Sequence, residues 1–324
     1  MFITKRKTGY FLEEVIAQNK KRKKISVPIT EISDSVEITE KFNQLRNRVI
    51  IENAKETKNK YSIKVLNFSE ILELERLKYN YKLFKNTLQE SFVQFDKDEY
   101  IRFAHGSASV EGNTLSLLQT TQVIEKNLGI SGKHLDEIKE IQNLKQTKEF
   151  LQNKKQLNEK LIKNIHKKIM DGFDTKNPGE YRQAPVFILG STHKPPSSEK
   201  VPKEMSRLIG FYNKNKNTHP VELASYMHIA FEAIHPFMDG NGRTGREIMN
   251  FILQKNNYCR AIINLENRET YISLLERLQE TKEYFKFTKF VYSCLLERSK
   301  IIEQIIKENQ KEIIQIFKKR RNKK

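Results

Sequence analysis

The sequence predicts a mainly α-helical fold with a small β-containing segment at its N-terminus, and three observations predict it. From about Phe68 almost to the C-terminus, apolar residues recur at intervals of three and four, the period of an amphipathic helix. Residues 1–30 instead place isolated β-branched and aromatic residues among Lys and Thr. Glycine and proline gather in two loops, at residues 175–199 and 235–246, which separate the helices.

The first 70 residues are predicted to form an N-terminal extension with mixed β and α structure. Its first part predicts a short hairpin around a basic turn at residues 19–23. Residues 31–70 are polar with scattered aliphatic side chains, and they predict a small helix followed by a strand at residues 61–66. The sequence indicates no function for this extension.

The rest of the chain predicts successive helices joined by short loops. The segment Thr114, Leu115 and Ser116 is placed to cap a helix that runs through Val123 and Ile124. Further helices are predicted at residues 135–151, 158–171, 200–214, 220–234, 243–255, 268–279 and 285–317. The loop at residues 175–199 holds one short extended piece, formed by Val186, Phe187, Ile188 and Leu189.

Charge and cysteine content limit the classes of function. The chain has 59 Lys and Arg against 40 acidic residues, a formal charge of +19, which favours anionic partners such as nucleotides, nucleic acid or acidic proteins. Cys259 and Cys294 are the only cysteines, so a disulfide framework or a structural zinc site is not expected. The N-terminus lacks the apolar run of a signal peptide, and no stretch approaches a membrane span. A cytoplasmic protein with no membrane partner is therefore expected.

The chemistry is predicted to lie in residues 235–246, whose sequence is HPFMDGNGRTGR. Pro236 ends one amphipathic helix, and a second helix is predicted to start near Gly242. Gly240, Gly242 and Gly245 let the backbone approach a ligand closely. Because the free N–H groups and the positive dipole end of the second helix point into this turn, the turn predicts an anion site.

The charged side chains of this turn indicate phosphoryl-transfer chemistry. Arg243 and Arg246 are three residues apart, so both can point toward the same phosphates. Asp239 supplies a carboxylate suited to a hydrated Mg²⁺ ion. His235 is the side chain there that can take a proton near neutral pH. The loop is not a Walker A motif, because no Lys-Ser or Lys-Thr pair follows the glycines.

These residues also resemble a known family. His235 to Arg246 match the HPFx(D/E)GNGRxxR signature of Fic-domain proteins at every specified position. The resemblance implies a compact helical bundle with a short β-hairpin flap, and AMP transfer from Mg·ATP to a Tyr, Thr or Ser hydroxyl of a protein, with the chain itself as one candidate target. It further implies roles for the individual residues: His235 deprotonates the target hydroxyl, Asp239 holds Mg²⁺, Asn241, Gly242 and Arg243 hold the α- and β-phosphates, and Arg246 holds the γ-phosphate. A kinase-like branch of the family carries Lys where Gly242 stands, so Gly242 argues against that branch.

A second motif resembles an inhibitory element of the same family. Ser107, Glu111 and Gly112 fit the pattern (S/T)xxxE(G/N), and their position before the catalytic motif resembles the subclass whose inhibitory helix precedes the core. The resemblance implies that Glu111 pairs with Arg246 and excludes the γ-phosphate. An Arg–carboxylate pair is strong enough to compete with a phosphate contact.

The resemblance also implies a flap and a base pocket, but fewer residues match the family there. Residues 186–189 correspond to a flap that binds an extended target segment through main-chain hydrogen bonds; the alternative is that they only hold a loop on the core. Where relatives offer a Tyr and an Asn to the adenine, this chain has Ile272 and Gln279. Gln279 can still donate and accept a hydrogen bond. ATP is the expected substrate, and preference for another nucleotide stays open. His166 is expected to be structural.

The resulting organisation is an N-terminal extension at residues 1–70, a Fic-type domain at 71–295 that includes an inhibitory helix near 107–113, and a C-terminal helix with a basic tail at 296–324. Three functions stay open: a self-inhibited AMP transferase, an enzyme that removes AMP or transfers another nucleotide, and a binding module for nucleotides or nucleic acid without turnover. No helix-turn-helix, zinc or RNA-recognition signature supports the last. ATP and a protein substrate are the expected partners, and a homodimer stays open.

Overall fold

The structure, a computed structural model, describes residues 1–18, 21–30, 35–173, 177–187, 193–276 and 281–320. It confirms the mainly α-helical class, with a small antiparallel sheet near the N-terminus. The chain divides into two compact units: Met1–Val93 together with Leu296–Lys324, and Gln94–Leu295. The division falls near the predicted boundary at residue 295 but beyond the one predicted at residue 70.

The first unit contains a three-stranded sheet where a hairpin was predicted. Strands β1 (Phe2–Arg6), β2 (Gly9–Gln18) and β3 (Lys21–Ile29) are antiparallel and lie in the order β1-β2-β3. Leu12 lies opposite Ile3 on β1 and Val27 on β3, and all three are buried. Lys21 to Lys23 therefore begin β3 and do not form the predicted turn.

Helix α1 (Ser35–Lys60) covers the sheet and corrects one prediction for residues 31–70. It has 26 residues, where a small helix was expected, and it packs against β2 and β3. Its buried residues include Ile38, Phe42 and Leu45, which recur every three or four positions. The period was hard to recognise in the sequence because charged and polar residues fill the positions between the apolar ones.

The strand predicted at residues 61–66 is wrong. The structure has only an isolated bridge at Ser62 there, and helix α2 (Phe68–Thr87) begins immediately afterwards. Asn67 caps α2: its side chain accepts a hydrogen bond from the Glu70 N–H, while the Glu70 carboxylate accepts one from the Asn67 N–H. This capping box satisfies two backbone donors that would otherwise be unpaired, so the chain turns into a helix.

The long helix predicted at residues 285–317 is two helices, α11 (Thr281–Glu308) and α12 (Gln310–Arg320). The break lies at Asn309, whose side-chain amide donates to the Ile305 carbonyl at 2.8 Å. A short polar side chain that bonds to the backbone in this way competes with helix continuation. Helix α12 packs on α1 and β1, so the C-terminal part of the chain completes the first unit.

The second unit holds the helices on which the predicted site depends. They are α3 (Gln89–Val110), α4 (Leu117–Lys126), α5 (Leu135–Leu151), α6 (Glu159–Ile169), α7 (Val201–Lys214), α8 (Pro220–Ile234), α9 (Asn241–Lys255) and α10 (Arg268–Glu276). Helices α8 and α9 pack against each other, α6 packs on α5 and α9, and α7 packs on α8. These positions confirm the predicted helices from α4 to α9, and Ser116 caps α4 as expected.

The predicted flap is only partly described. Residues 177–187 and 193–197, which the structure does describe, contain no strand, and Phe187 is 91% exposed. Ile188 and Leu189 lie outside the described residues, as does Gln279 of the predicted base pocket. Across the described ranges, we find no helix with both the length and the apolar character needed to cross a membrane.

Candidate active site

Residues 235–240 form a tight loop between α8 and α9, here called the α8–α9 loop. His235 ends α8 in the left-handed region with φ 47°, and Gly240 precedes α9 with φ 71°. The Asn241 side chain closes the loop by two hydrogen bonds to Phe237: its amide nitrogen donates to the carbonyl, and its oxygen accepts from the N–H, both at 2.9 Å. The side chain of Asn241 therefore holds the loop, and its backbone N–H is the group left for a ligand.

His166 on α6 supports the same loop from below. Its Nδ1 accepts a hydrogen bond from the Gly179 N–H at 2.8 Å, so Nε2 carries the proton and donates to the Asp239 carbonyl at 2.9 Å. Its ring stacks on Phe237 with centroids 3.7 Å apart. Burial lowers the pKa of His166 to about 4, so the ring is neutral at neutral pH. This is the structural role that the sequence indicated.

Arg182 holds the end of α8. Its backbone N–H donates to the Pro236 carbonyl at 2.9 Å, and its Nε donates to the His235 carbonyl at 2.8 Å. The same guanidinium reaches the carbonyls of Ala184 and Pro196. The last carbonyls of a helix have no partner within it, and Arg182 supplies one while its charge complements the negative end of the helix dipole.

His235 is positioned as a neutral base at the mouth of the loop. Its side chain is 18% exposed, and its Nδ1 lies 3.8 Å from Glu232 Oε2, beyond hydrogen-bond distance. Burial lowers the pKa of His235 to about 4. The imidazole is therefore unprotonated at neutral pH, which is the state a general base needs.

Arg246 is buried, with 1% of its surface exposed, and all of its polar contacts are within the second unit. Its Nε donates to Ser107 Oγ at 3.0 Å, and its Nη2 donates to the Ser107 carbonyl at 2.8 Å. Nη1 donates to the Tyr271 hydroxyl at 3.2 Å. Nη2 also pairs with Glu111 Oε1 at 2.7 Å. Both polar residues of the predicted inhibitory motif thus contact the predicted γ-phosphate residue.

The Glu111 carboxylate lies directly over the start of α9. A Cβ placed on Gly242 would overlap Glu111 Oε1, so a larger residue there would push the carboxylate aside. Burial opposes ionisation of Glu111, but the positive charges of Arg246 and Arg243 and the hydrogen bond from Arg246 together outweigh it and hold the pKa of Glu111 below its ordinary value. A negative charge therefore already occupies the N-terminal end of α9, the place where a helix binds anions.

Arg243 faces a different carboxylate. Its Nη1 pairs with Glu140 Oε1 of α5 at 2.9 Å, and its Nη2 lies 3.3 Å from Asp239 Oδ1. Glu140 is held in turn by Asn113, whose amide donates to Oε2 at 2.7 Å. This chain of contacts joins the segment just after Glu111 to the α8–α9 loop.

Asp239 is the residue most suited to a metal ion. Its side chain is 61% exposed, and its Oδ1 accepts from the Gly240 N–H at 2.6 Å. No cluster of three or more His, Cys, Asp or Glu side chains able to hold a metal occurs among the described residues. One exposed carboxylate fits Mg²⁺, which keeps most of its waters and takes its remaining ligands from substrate phosphates.

The sequence of this region was compared with known protein families. Residues 156–253, from just before α6 to near the end of α9, match the sequence profile of the Fic/DOC family. We call this matching part of the chain the Fic/DOC domain, after the family that it resembles. Around the Fic/DOC domain, the chain is 32% identical over 216 residues to a protein adenylyltransferase Fic of Culex quinquefasciatus and 32% identical over 210 residues to that of Aedes aegypti. The matches take up 64% and 61% of this chain, but only 43% and 41% of those proteins.

Solved structures share the fold. A Fic domain containing signalling protein from Bacteroides thetaiotaomicron superposes with a TM-score of 0.66 at 24% identity, covering 71% of this chain and 95% of that one. Fic-1 from C. elegans (residues 134–508) superposes with a TM-score of 0.61 at 19% identity, covering 86% of this chain and 80% of that one. At these identities the likeness establishes the fold of the Fic/DOC domain and its surroundings.

The geometry brings most of the predicted site residues of the Fic/DOC domain together and adds others. Sequence reasoning did not single out Glu140 and Tyr271, which contact Arg243 and Arg246, because neither lies in a recognisable motif. Asn250 faces the core: its amide donates to the Ala261 carbonyl and its oxygen accepts from the Ala261 N–H. Ile272 follows Tyr271 on α10 and is half-buried. Of the flap, Val186 and Phe187 are described and form no hydrogen bond with the α8–α9 loop, so the flap assignment stays a prediction.

Proposed function

We propose that this chain is a protein AMP transferase that uses Mg·ATP and holds itself in an inhibited state. The proposal rests on three side chains around the N-terminal end of α9. The neutral His235 and the exposed Asp239 lie on the α8–α9 loop, and the buried Arg246 lies on α9 itself. A base, a metal carboxylate and a fixed cation around one anion site suit phosphoryl transfer. The two mosquito relatives named as adenylyltransferases support AMP as the transferred group.

In the proposed reaction a hydroxyl oxygen of the protein substrate attacks the α-phosphorus of ATP. His235 takes the hydroxyl proton as the new oxygen–phosphorus bond forms, and the bond from the α-phosphorus to the bridging oxygen breaks, releasing pyrophosphate. Asn241 N–H, Gly242 N–H and Arg243 stabilise the phosphate oxygens. Asp239 would hold Mg²⁺, which would neutralise phosphate charge when bound. Arg246 positions the γ-phosphate.

The proposed inhibition follows from the contact between Glu111 and Arg246. The carboxylate takes the guanidinium at 2.7 Å and lies over Gly242, where phosphate oxygens would have to enter. Two anions cannot share this place without strong repulsion. ATP therefore binds productively only when Glu111 leaves, and the Ser107 contacts keep the Arg246 side chain oriented meanwhile.

The test compares Glu111→Gly with Glu111→Gln and with a matched control, Glu269→Gln, an exposed glutamate of α10. Each protein is incubated with Mg²⁺ and α-labelled ATP, and label on protein is measured. We expect roughly 10- to 100-fold more label for Glu111→Gly, because this change removes a charge-assisted contact. The gain should be smaller for Glu111→Gln, and Glu269→Gln should show none. Adding His235→Ala to Glu111→Gly should remove the label, because a general base contributes ~10²–10⁴-fold.

Intact-mass analysis with each of the four nucleoside triphosphates identifies the transferred group and the preferred base. Label that does not depend on His235, or no covalent label with any nucleotide, contradicts the transferase proposal and leaves a nucleotide-binding module. Loss of AMP from a previously labelled protein, faster with Glu111 than without it, would instead favour the reverse reaction. We further propose that the enzyme works in the reducing cytoplasm, since the sequence has only two cysteines, Cys259 and Cys294, and no CxxC pair. The homodimer stays a prediction.

A further inference from the structure

Helix α6 borders two adjoining grooves on the second unit, and residues of the α8–α9 loop line neither of them. The larger groove has a volume of about 790 Å³ and the smaller about 480 Å³. Both are lined by Lys160 and Asn164, so they meet along the same stretch of helix. We call the two together the basic trough, after the lysines that line it: Lys154, Lys155, Lys160, Lys163 and Lys167.

The basic trough carries uncompensated positive charge. Against its five lysines it has two acidic side chains, Glu159 and Glu180. Lys163 pairs with Glu159 at 3.6 Å, whereas Lys155, Lys160 and Lys167 pair with no carboxylate in the parts of the chain that the structure describes. Like charges on a concave surface raise the local concentration of anionic partners.

One wall of the basic trough is connected to the active site by hydrogen bonds. Gly179 and Tyr181 line the trough, and the Gly179 N–H donates to His166, which donates to the Asp239 carbonyl. The neighbouring Arg182 N–H donates to the Pro236 carbonyl. Lys160, Lys163 and Lys167 lie on the trough face of α6, at the spacing of one helix face, while His166 lies on the face that supports the loop. A partner in the trough therefore rests against the elements that position His235.

We infer that the basic trough binds an acidic segment of the protein substrate, next to the hydroxyl that receives AMP. This inference rests on the proposed function, since it assigns the trough to the substrate of that reaction. The carboxylates of an extended acidic segment would pair with the lysines along α6, because the exposed ammonium groups can move to meet them.

The aromatic side chains favour a peptide over a single-stranded nucleic acid. Proteins that bind single strands present open aromatic rings on which bases stack. In the basic trough Tyr181 is 7% exposed and lies under the Lys163 ammonium at 4.1 Å. The ring of Phe150 is contacted by Lys154 at 4.3 Å and by Lys168 at 5.4 Å. Lysine side chains cover these rings, so a ligand in the basic trough would contact positive charge and not open aromatic faces.

The test uses a fluorescein-labelled peptide with glutamate runs on both sides of one tyrosine, and measures binding to the full chain by fluorescence polarisation. The trough variant is Lys155→Glu/Lys160→Glu/Lys167→Glu. The matched control is Lys214→Glu/Lys216→Glu/Lys255→Glu, three exposed lysines at the far ends of α7 and α9 with the same change in net charge. Thermal melting of both variants checks that they fold.

We expect the trough variant to weaken binding of the acidic peptide by about tenfold or more and the control by less than about twofold, with affinity falling as salt rises. The same peptide with glutamine in place of glutamate should not bind. Equal loss in both variants, or no binding by the wild-type chain, overturns the proposal. So does an oligothymidine that binds through the trough more tightly than the acidic peptide, because the surface would then be a nucleic-acid site.

Failure of this inference is distinguishable from failure of the proposed function. Peptide binding needs neither ATP nor His235, so it is measured without them. His235-dependent labelling together with trough-independent peptide binding would refute the docking surface alone. Trough-dependent binding without any covalent label would refute the transferase, and with it the assignment of the trough to its substrate.

Discussion

His235 lies where its imidazole stays neutral over the physiological pH range. Burial lowers its pKa to about 4, and no hydrogen-bonding carboxylate raises it again, because Glu232 Oε2 is 3.8 Å from Nδ1. A general base acts in its unprotonated form, which exists at pH values above its pKa. The acidic limb of the reaction should therefore fall below the range expected for an ordinary histidine, whose pKa is about 6.5.

This predicts the pH dependence of labelling by Glu111→Gly at saturating Mg·ATP. Between about pH 5.5 and 8, protonation of His235 should change the initial rate by less than about twofold, since the neutral form dominates throughout. A midpoint near 6.5 on the acidic side would show that the imidazole is solvated in the working enzyme. Circular dichroism at each pH excludes unfolding as the cause of any fall.

The residues of the site divide by how far apart in sequence their partners lie. His235, Asp239, Arg243 and Arg246 lie within one turn and one helix start, so their spacing alone placed them around a common anion site. Glu111 was found through a separate short motif, although its contact with Arg246 spans 135 positions. Glu140 shares no motif with Arg243, and only the packing of α5 against its neighbours brings them together. Single-sequence reasoning has no physical signal for such a pair.

At the scale of the elements, the position of α3 determines where Glu111 lies. Glu111 follows the last residue of α3, and the turn there is held by Arg268, whose Nε donates to the Val110 carbonyl at 2.9 Å. Earlier in α3, Gly106 packs so closely on the segment before α10 that a Cβ would overlap the Ile263 carbonyl oxygen. The glycine lets the helix approach, and the approach brings Glu111 to Arg246.

Gly106→Ala should therefore shift α3 and loosen the inhibitory contact. A backbone oxygen cannot give way as a flexible side chain does, so we expect a loss of about 1–3 kcal/mol in the free energy of unfolding, as for overpacking, with more labelling than the wild-type chain. The matched control is Gly210→Ala in α7, where a Cβ meets nothing within 4 Å. That change should stabilise by about 0.4–1 kcal/mol without altering labelling. Chemical denaturation and α-labelled ATP measure the two effects, and equal behaviour of both variants would contradict this account of α3.

Elements with clear periodicity and recognisable ends were predictable, and the errors have identifiable causes. Helices α8 and α9 were recognised because Pro236 and Gly240 separate two apolar stripes. The strand expected at residues 61–66 failed because its local preference was overridden by the capping box at Asn67. The hairpin predicted around residues 19–23 corresponds to β2 and β3. Strand β1 was not separated from β2, because only Lys7 and Thr8 lie between the two strands.

Considered as a whole, the molecule buries ionisable groups whose pKa shifts act in opposite directions. Burial lowers the pKa of four histidines: to about 4 for His166 and His235, to about 3 for His228, and below its ordinary value for His105. Burial also raises the pKa of two carboxyls, to about 8 for Glu232 and about 7 for Glu247. Stability rises with pH wherever the unfolded chain binds more protons than the folded chain, and falls where it binds fewer.

The two groups therefore predict a stability maximum near pH 6.5. Between about pH 4 and 6.5 the unfolded histidines, with an ordinary pKa near 6.5, bind protons that the folded ones do not, so their contribution rises with pH. Above about pH 4.5 the folded Glu232 and Glu247 keep protons that the unfolded carboxyls lose, so their contribution falls with pH. The histidines outweigh Glu232 and Glu247 below pH 6.5. Above it these carboxyls dominate, and stability should decline by an amount on the order of 2 kcal/mol up to pH 8.

The alkaline decline is assigned to Glu232 and Glu247 by substitution. In Glu232→Gln/Glu247→Gln neither position titrates, so the free energy of unfolding, measured by urea denaturation at intervals from pH 5.5 to 8, should become nearly level above pH 6.5. The control Glu125→Gln/Glu269→Gln, two acids outside the core, should keep the decline. If the wild-type chain were instead most stable at pH 8, both carboxyls would have to be ionised inside the folded molecule. The charges of Arg246 and Arg260, which act on Glu247, would then outweigh its burial, and the second unit would have a charged core in place of a protonated one.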